Sequence, residues 1–311
     1  MADAKETLKK KEIRIVVTDS GLGGLAVTAL ADSFIWKNRS YEKAELIFVN
    51  ALPSKEFRYN DLPDEQSKAE LFSSVLTSIT KRYNPDLILI ACNTLSVVYP
   101  KTAFAANPPV PVLGIVEFGV NAITEAVKNS SAGINTAVLI TGTETTISSD
   151  IHKQKTIESL GEGYFIAAQA LPELETEIQN DHTSPVVEGM IEMYLDESLI
   201  GIPDKTGKIV VGLCCSHYGY VEGMFRSVME KQTGKEISIV NPNISMAAWV
   251  APAAERSIQT NILIRVVSQV EITREEIKSL APLLRKDSPF TAEALENYEF
   301  VKELFTVQGR N

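Results

Sequence analysis

The stretch Ile209-Val-Val-Gly-Leu-Cys-Cys-Ser-His-Tyr218 decides how the chain is read. Four apolar residues, Ile209 to Val211 and Leu213, lead into two adjacent cysteines. Ser216, His217 and Tyr218 then form a short polar run where a helix should begin. A short apolar run ending in such a turn is the pattern of a buried parallel strand that opens on a ligand crevice. Asp86-Leu-Ile-Leu-Ile-Ala-Cys-Asn-Thr94 has the same grammar. Cys92, Cys214 and Cys215 are the only cysteines of the chain, so two strand ends carry its whole thiol supply. A single free cysteine is ordinarily a small buried hydrophobe. Two such strand ends, each followed by hydrogen-bonding side chains, point instead to one site lined by two thiols. Removal and return of a proton at a stereocentre needs a thiol on each side. A thiol has an unperturbed pKa of about 8.5, so a modest shift gives a thiolate near neutral pH.

Composition sets the frame for that site. A chain of 311 residues has room for one large or two ordinary domains. With 44% hydrophobic and 23% charged residues it is an ordinary globular chain. A formal net charge of −10 argues against nonspecific nucleic-acid binding. An anionic substrate would need local recognition, by helix starts or placed cations, against a repelling global field. The apolar run Ile13 to Val17 is too short for a signal-peptide core, and no stretch approaches the length of a membrane span. Three cysteines, two of them adjacent, do not make a disulfide framework, and a reducing cytoplasm is the expected compartment. No spacing of His, Cys, Asp and Glu resembles a metal site, so no metal is expected.

Apolar runs near 13–18, 46–49, 86–91, 112–116, 136–140, 164–168, 208–213, 237–240 and 262–267 alternate with helical segments. That alternation predicts an α/β chain with largely parallel sheets. Asp19-Ser-Gly-Leu-Gly-Gly-Leu25 follows the first strand directly, and its glycines would let a backbone approach a bound group closely. Gly21, Gly23 and Ala26 fit a dinucleotide pattern, but the next strand ends in Asn50 rather than an acid, so no dinucleotide site is expected. Cys92 lies 73 residues after Asp19, and Cys215 lies 73 after Gly142. The matched spacing suggests two similar α/β domains related by a pseudo-twofold axis, with the site in the cleft between them. Asn107-Pro-Pro-Val-Pro111 is the expected boundary. Residues 1–108 plus 236–311 would form the first domain, with an extension after about 255, and 109–235 the second. His152 and His182 fit no constellation and are expected on the surface.

At these residues the chain resembles the glutamate racemases, of the cofactor-independent aspartate/glutamate racemase group. Asp19-Ser-Gly-Leu-Gly-Gly-Leu25 is similar to that family's D-S-G-[VL]-G-G-L turn, Ala91-Cys-Asn-Thr94 to its A-C-N-T motif, and Cys215-Ser-His-Tyr218 to its C-T-H-Y motif. Thr143 and Thr146, with Ile147 and Ser149, fit its T-x-x-T-[IV]-x-S loop, and Leu171-Pro-Glu-Leu-Glu175 resembles its V-P-x-x-E segment. The likeness runs patchily from about residue 13 to about 255. It implies an isomerase that interconverts L- and D-glutamate without pyridoxal phosphate or metal, and so supplies D-glutamate for cell-wall peptidoglycan. Cys92 would deprotonate the D-enantiomer and Cys215 the L-enantiomer. Asp19, His217 and Glu175 would be their acid–base partners. Ser20, Asn93, Thr94, Thr143, Thr146 and Ser216 would donate to the substrate carboxylates. Arg58-Tyr59-Asn60 stands where the family has P-Y-G gripping the substrate, and Arg58 would add a cation there. Cys214 replaces the family's usual glycine. Because neighbours on a strand face opposite ways, Cys214 should point behind the sheet and Cys215 into the cleft.

The partner implied is a small acidic amino acid, with no nucleic acid or membrane, and a homodimer is compatible. Other readings stay open. One is a racemase, isomerase or decarboxylase of the same fold acting on aspartate or another small acid; another is a catalytically silent ligand-binding homologue.

Overall fold

The computed structural model describes residues 2–130, 135–253 and 259–306. Ten strands among the described residues form two sheets, and every pairing is parallel. They are β1 (Glu12–Asp19), β2 (Lys43–Asn50), β3 (Leu87–Ile90), β4 (Val112–Gly114), β5 (Thr136–Gly142), β6 (Phe165–Ala170), β7 (Lys208–Cys214), β8 (Glu236–Val240), β9 (Asn261–Ser268) and β10 (Glu299–Phe300). Parallel strands are covered on both faces, which is why their sequences are near-continuous apolar runs rather than alternating ones. All four residues of β3 are buried, as are six of the seven in β7.

The six-stranded sheet has the order β10-β9-β2-β1-β3-β4, and the four-stranded sheet β6-β5-β7-β8. The run β2-β1-β3-β4 is repeated strand for strand in β6-β5-β7-β8, so the duplication suggested by the 73-residue spacing appears as a repeated topology. In such sheets the chain turns to opposite sides at one pair of neighbouring strands, and the crevice beyond their carboxyl ends is where ligands bind. Here those pairs are β1 with β3 and β5 with β7. Asp19 ends β1, Cys92 follows β3, Gly142 ends β5, and Cys214 and Cys215 follow one another at the end of β7.

Helices cover both faces of each sheet. Leu25–Asn38, Pro242–Trp249, Arg274–Asp287 and Pro289–Glu296 pack one face of the larger sheet, and Glu65–Tyr83 the other. In the second lobe, Leu174–Asp181, Pro185–Ser198 and Glu222–Thr233 pack one face, and Val116–Lys128 with Ile151–Leu160 the other. The Glu65–Tyr83 helix starts at Asp64, whose side chain accepts from Ser67 N–H, and carries Lys81 and Arg82 in its last turn. Both ends match what orphan backbone groups and the helix dipole favour.

The seams between the lobes lie elsewhere than residues 108 and 236. β4, expected in the second domain, pairs with β3 in the first sheet, Ile88 opposite Val112. β8, expected in the first, pairs with β7 in the second, Ile209 opposite Ile237. The prolines at 108, 109 and 111 are a turn into an edge strand, and the crossing between lobes is made by the helix Val116–Lys128. Its Val116 and Val120 pack on Val97 and Val98, while Ile123 and Val127 pack on Val138 and Cys214. The return is made by the helix Pro242–Trp249, after which Val250 and Ala251 carbonyls accept from Tyr41 and Asn38 of the first lobe.

Residues 259–306 are part of the first lobe. β9 pairs with all eight residues of β2, from Lys43 with Asn261 to Asn50 with Ser268. Without it β2 becomes a bare edge beside a stripped apolar face. A chain ended at Ala253 is therefore expected to lose its cooperative thermal transition and to aggregate. Circular-dichroism melting and size-exclusion chromatography of the truncated and full chains check this.

Candidate active site

The two crevices meet in one cleft of about 260 Å³. That is near the small end of ligand cavities, which run from roughly 300 to 1,000 Å³, and suits a small metabolite. Every residue singled out in the sequence lines it: Asp19, Ser20, Tyr59, Asn60, Cys92, Asn93, Thr94, Thr143, Thr146, Glu175, Cys215, Ser216 and His217.

The glycine turn after β1 is where the lobes touch. A Cβ on Gly23 would lie 2.3 Å from Ser216 Oγ and 2.6 Å from His217 Nδ1. What the missing side chain admits is thus the other lobe's cysteine loop. Ser216 Oγ donates to Asp19 Oδ2 at 2.7 Å across that contact. Ser216 thus joins the lobes through Asp19.

Cys92 caps the short helix Asn93–Val98. Its Sγ accepts from Leu95 N–H at 3.4 Å and lies 3.1 Å from Ser20 Oγ. Burial pushes the thiol up to about 12, the Asp19 charge adds to this, and the Ser20 and Leu95 contacts oppose it. Asp19 is itself raised to about 6 by burial, against hydrogen bonds from Ser216, Gly21, Cys92 and Ser20. Cys215 begins the 3-10 turn Ser216–Val221, and its Sγ is 3.9 Å from His217 Nδ1. Burial, then the charge of Glu175, push this thiol well above its ordinary range. His217 is lowered to about 3 by burial, with the Arg58 charge adding, so the imidazole is neutral. Burial thus favours the neutral form of both the thiol and the imidazole. Cys214 sits on the opposite side of β7, packed with Ile123, Val127 and Val138, while Cys215 packs with the other face. Its thiol is also raised by burial, to about 12.

Polar groups from both lobes gather at the far side. Thr94 Oγ1 is 2.7 Å from Thr143 Oγ1 and 3.4 Å from Thr146 Oγ1. Asn93 Oδ1 is held 3.0 Å from His152 Nε2, and its buried Nδ2 has no partner among the described residues. His152 is therefore buried, contrary to its expected surface position. Its burial lowers it to about 4 and keeps it neutral. Asn60 Oδ1 accepts from Thr145 Oγ1, which accepts from Lys68 Nζ, both at 2.8 Å. Tyr59 is fully buried with its hydroxyl unpartnered among the described residues. Arg58 donates to Glu173 at 2.7 Å and to Thr176, so its charge latches the lobes at the cleft mouth instead of standing free for a substrate. Gln179 was not foreseen. It lies four residues after Glu175, on the same helical face, and contacts His217, Leu22 and Glu276. Among the described residues no group of three or more His, Cys, Asp and Glu could hold a metal, and no helix is long and apolar enough to cross a membrane.

The fold and the cleft are similar to those of one class of enzyme, the two-lobed α/β amino-acid racemases, which are isomerases. More particularly, the chain is a homologue of the glutamate racemases. It is 27% identical over 225 residues to the enzyme so named from Streptococcus sanguinis, spanning 72% of this chain and 74% of that one. It is 28% identical over 223 residues to the Streptococcus uberis enzyme, spanning 72% and 74%. No family model matches the chain. Its fold is that of the Francisella tularensis glutamate racemase in complex with D-glutamate, with a TM-score of 0.63 at 17% identity, covering 90% of this chain and 95% of that one. The Escherichia coli glutamate racemase in complex with L-glutamate and an activator gives 0.62 at 20%, covering 89% and 96%.

Glu175 lends itself to a stability test. Burial raises it to about 7, and its Oε2 has no partner among the described residues. Between pH 4.5 and 7 the folded chain keeps a proton that the unfolded chain has released, so stability falls as pH rises through that window. Glu175→Gln should match wild type at pH 4 and exceed it at pH 8, by about 3 kcal/mol at most. Thermal melts of both proteins at the two pH values read the difference. An equal gap at both would show that Glu175 ionises normally.

Proposed function

We propose that the chain racemises glutamate by two-base α-proton transfer, with one thiol on each face of the substrate. The observation that carries this is the placing of Cys92 and Cys215 in one cleft, at equivalent strand ends of two repeated sheets, each beside its own proton acceptor. Asp19 takes the proton of Cys92, and His217 Nδ1 takes that of Cys215, with Glu175 alongside. During turnover one sulfur is thiolate and the other thiol. With L-glutamate, the Cys215 thiolate removes the α-proton and the Cys92 thiol protonates the opposite face. The enzyme is then left ready for the D-enantiomer, and no net proton is consumed.

No electron-sink cofactor is expected in this scheme, so the developing carbanion must be held by oriented donors in a water-poor cleft. The Asn93 Nδ2 and the hydroxyls of Thr94, Thr143 and Thr146 are the donors proposed for the substrate carboxylates, with Ser20, Tyr59 and Asn60 on the first lobe. The names of the curated relatives support glutamate as the substrate. The proposed role is supply of D-glutamate for cell-wall peptidoglycan in the cytoplasm.

Two measurements test the scheme. In deuterated water, product formed early should carry deuterium at Cα while recovered substrate does not, because each face has its own acid. Equal early labelling of both pools would indicate one shared, exchanging base. Cys215→Ala should abolish racemisation of D- and L-glutamate with the fold intact by circular dichroism. Cys214→Ala should keep it, at a cost of about 1 kcal/mol in stability from lost packing. The reverse pattern would overturn the assignment of the thiols.

A further inference from the structure

The proton-accepting face of His217 is set from outside the cysteine loop. His217 Nε2 lies 2.9 Å from Gln179 Oε1. Which way the Gln179 amide points is settled by two other groups. Leu22 N–H, at the glycine turn of the first lobe, donates to the same Oε1 at 2.8 Å, and a backbone N–H can only donate. Gln179 Nε2 donates to Glu276 Oε1 at 2.6 Å, and a carboxylate oxygen accepts there. Turning the amide over would set N–H against N–H at Leu22 and oxygen against oxygen at Glu276. With the amide fixed, the hydrogen bond to His217 requires the proton on Nε2. Nδ1 is then a bare lone pair, and Nδ1 is the atom 3.9 Å from Cys215 Sγ.

Glu276 is held in turn. Its Oε2 accepts from Thr273 N–H at 2.7 Å and Thr273 Oγ1 at 3.0 Å, in the capping box of the helix Arg274–Asp287. One turn on, Ser279 Oγ donates to Ile178 O and accepts from His182 N–H, which fixes that helix against Leu174–Asp181. Three pieces of chain distant in sequence therefore converge on one imidazole.

We propose that Glu276, acting through Gln179, is a positioning residue that holds His217 as the Nε2–H tautomer, so that Nδ1 can take the proton of Cys215. The C-terminal segment thus serves the reaction as well as the fold. The inference rests on the two-thiol reading for its role in turnover, but the tautomer stands independently of it.

The test uses the full chain with ¹⁵N-labelled histidine. In wild type the His217 signals should show protonated Nε2 and bare Nδ1. Gln179→Leu removes the acceptor and leaves the Thr273 capping box intact, so His217 should shift to a mixture or to the Nδ1–H form. Glu276→Gln should do so in part. The double variant Gln179→Glu with Glu276→Gln exchanges amide and carboxylate, keeps an acceptor at 179, and should restore Nε2–H. In turnover, kcat/KM should fall in Gln179→Leu, by less than the roughly hundredfold or more that loss of a general base costs. The primary isotope effect on kcat/KM should rise with α-deuterated L-glutamate, whose proton Cys215 is assigned to remove, and fall toward unity with the D-enantiomer. A merely structural defect would leave that split unmoved. An Nε2–H signal unchanged in Gln179→Leu, or isotope effects unchanged in both directions, would overturn the inference with the racemase reading intact. Shifted tautomers in a chain that never racemises glutamate would sink the racemase reading and leave the positioning intact.

Discussion

The hydrogen bond from Ser216 to Asp19 is made where two lobes press a glycine turn against a cysteine loop, and the site depends on that contact. Nothing larger than hydrogen fits at Gly23. The closeness brings both crevices into one cleft and strips water from Asp19, Cys92, Cys215 and His217 together. Desolvation then dominates every titration there. It raises both thiols and Asp19 and lowers His217, so the resting cleft holds few charges. A site of this kind suits chemistry in which protons move by short steps between groups of one cleft.

The lobes are joined by several polar ties as well as by packing. Arg58 reaches Glu173, Asn60 meets Thr145, Asn93 meets His152, and Leu22 with Glu276 grips Gln179. Most of these pairs place one partner in each lobe, and most of the side chains also line the cleft. The arrangement that orients a ligand is therefore the one that sets the lobe-to-lobe distance. A substitution at such a pair acts on both, which is why the proposed tests read tautomers, isotope effects and pH differences beside activity.

The C-terminal segment has two parts with separate physical jobs. β9 completes pairing along the whole of β2, and the helix Arg274–Asp287 lies against Leu174–Asp181 of the second lobe. The first part closes a sheet edge that would otherwise be bare. The second carries Glu276, Thr273 and Ile272 to the wall of the cleft.

The sequence by itself determined the local pattern. Buried parallel strands must be apolar on both faces, so β3 and β7 were legible as unbroken runs, and the polar turn after each marked its crevice. Strand alternation told Cys215 from Cys214. The equal spacing of Asp19 with Cys92 and Gly142 with Cys215 foreshadowed the repeated strand order. Tertiary structure alone decided what these pieces meet. Val112–Gly114 and Glu236–Val240 read as strands, but which sheet an edge strand joins depends on partners far along the chain. His152 carries no local sign that its ring will be buried against Asn93, 59 residues away. Gln179 and Glu276 lie 97 residues apart in polar helices, and their bond exists only because two helices from different lobes are packed in one register. Hydrogen bonds between side chains leave no period in a sequence. Burial, which sets the protonation of every group in this cleft, is a property of the closed pair of lobes.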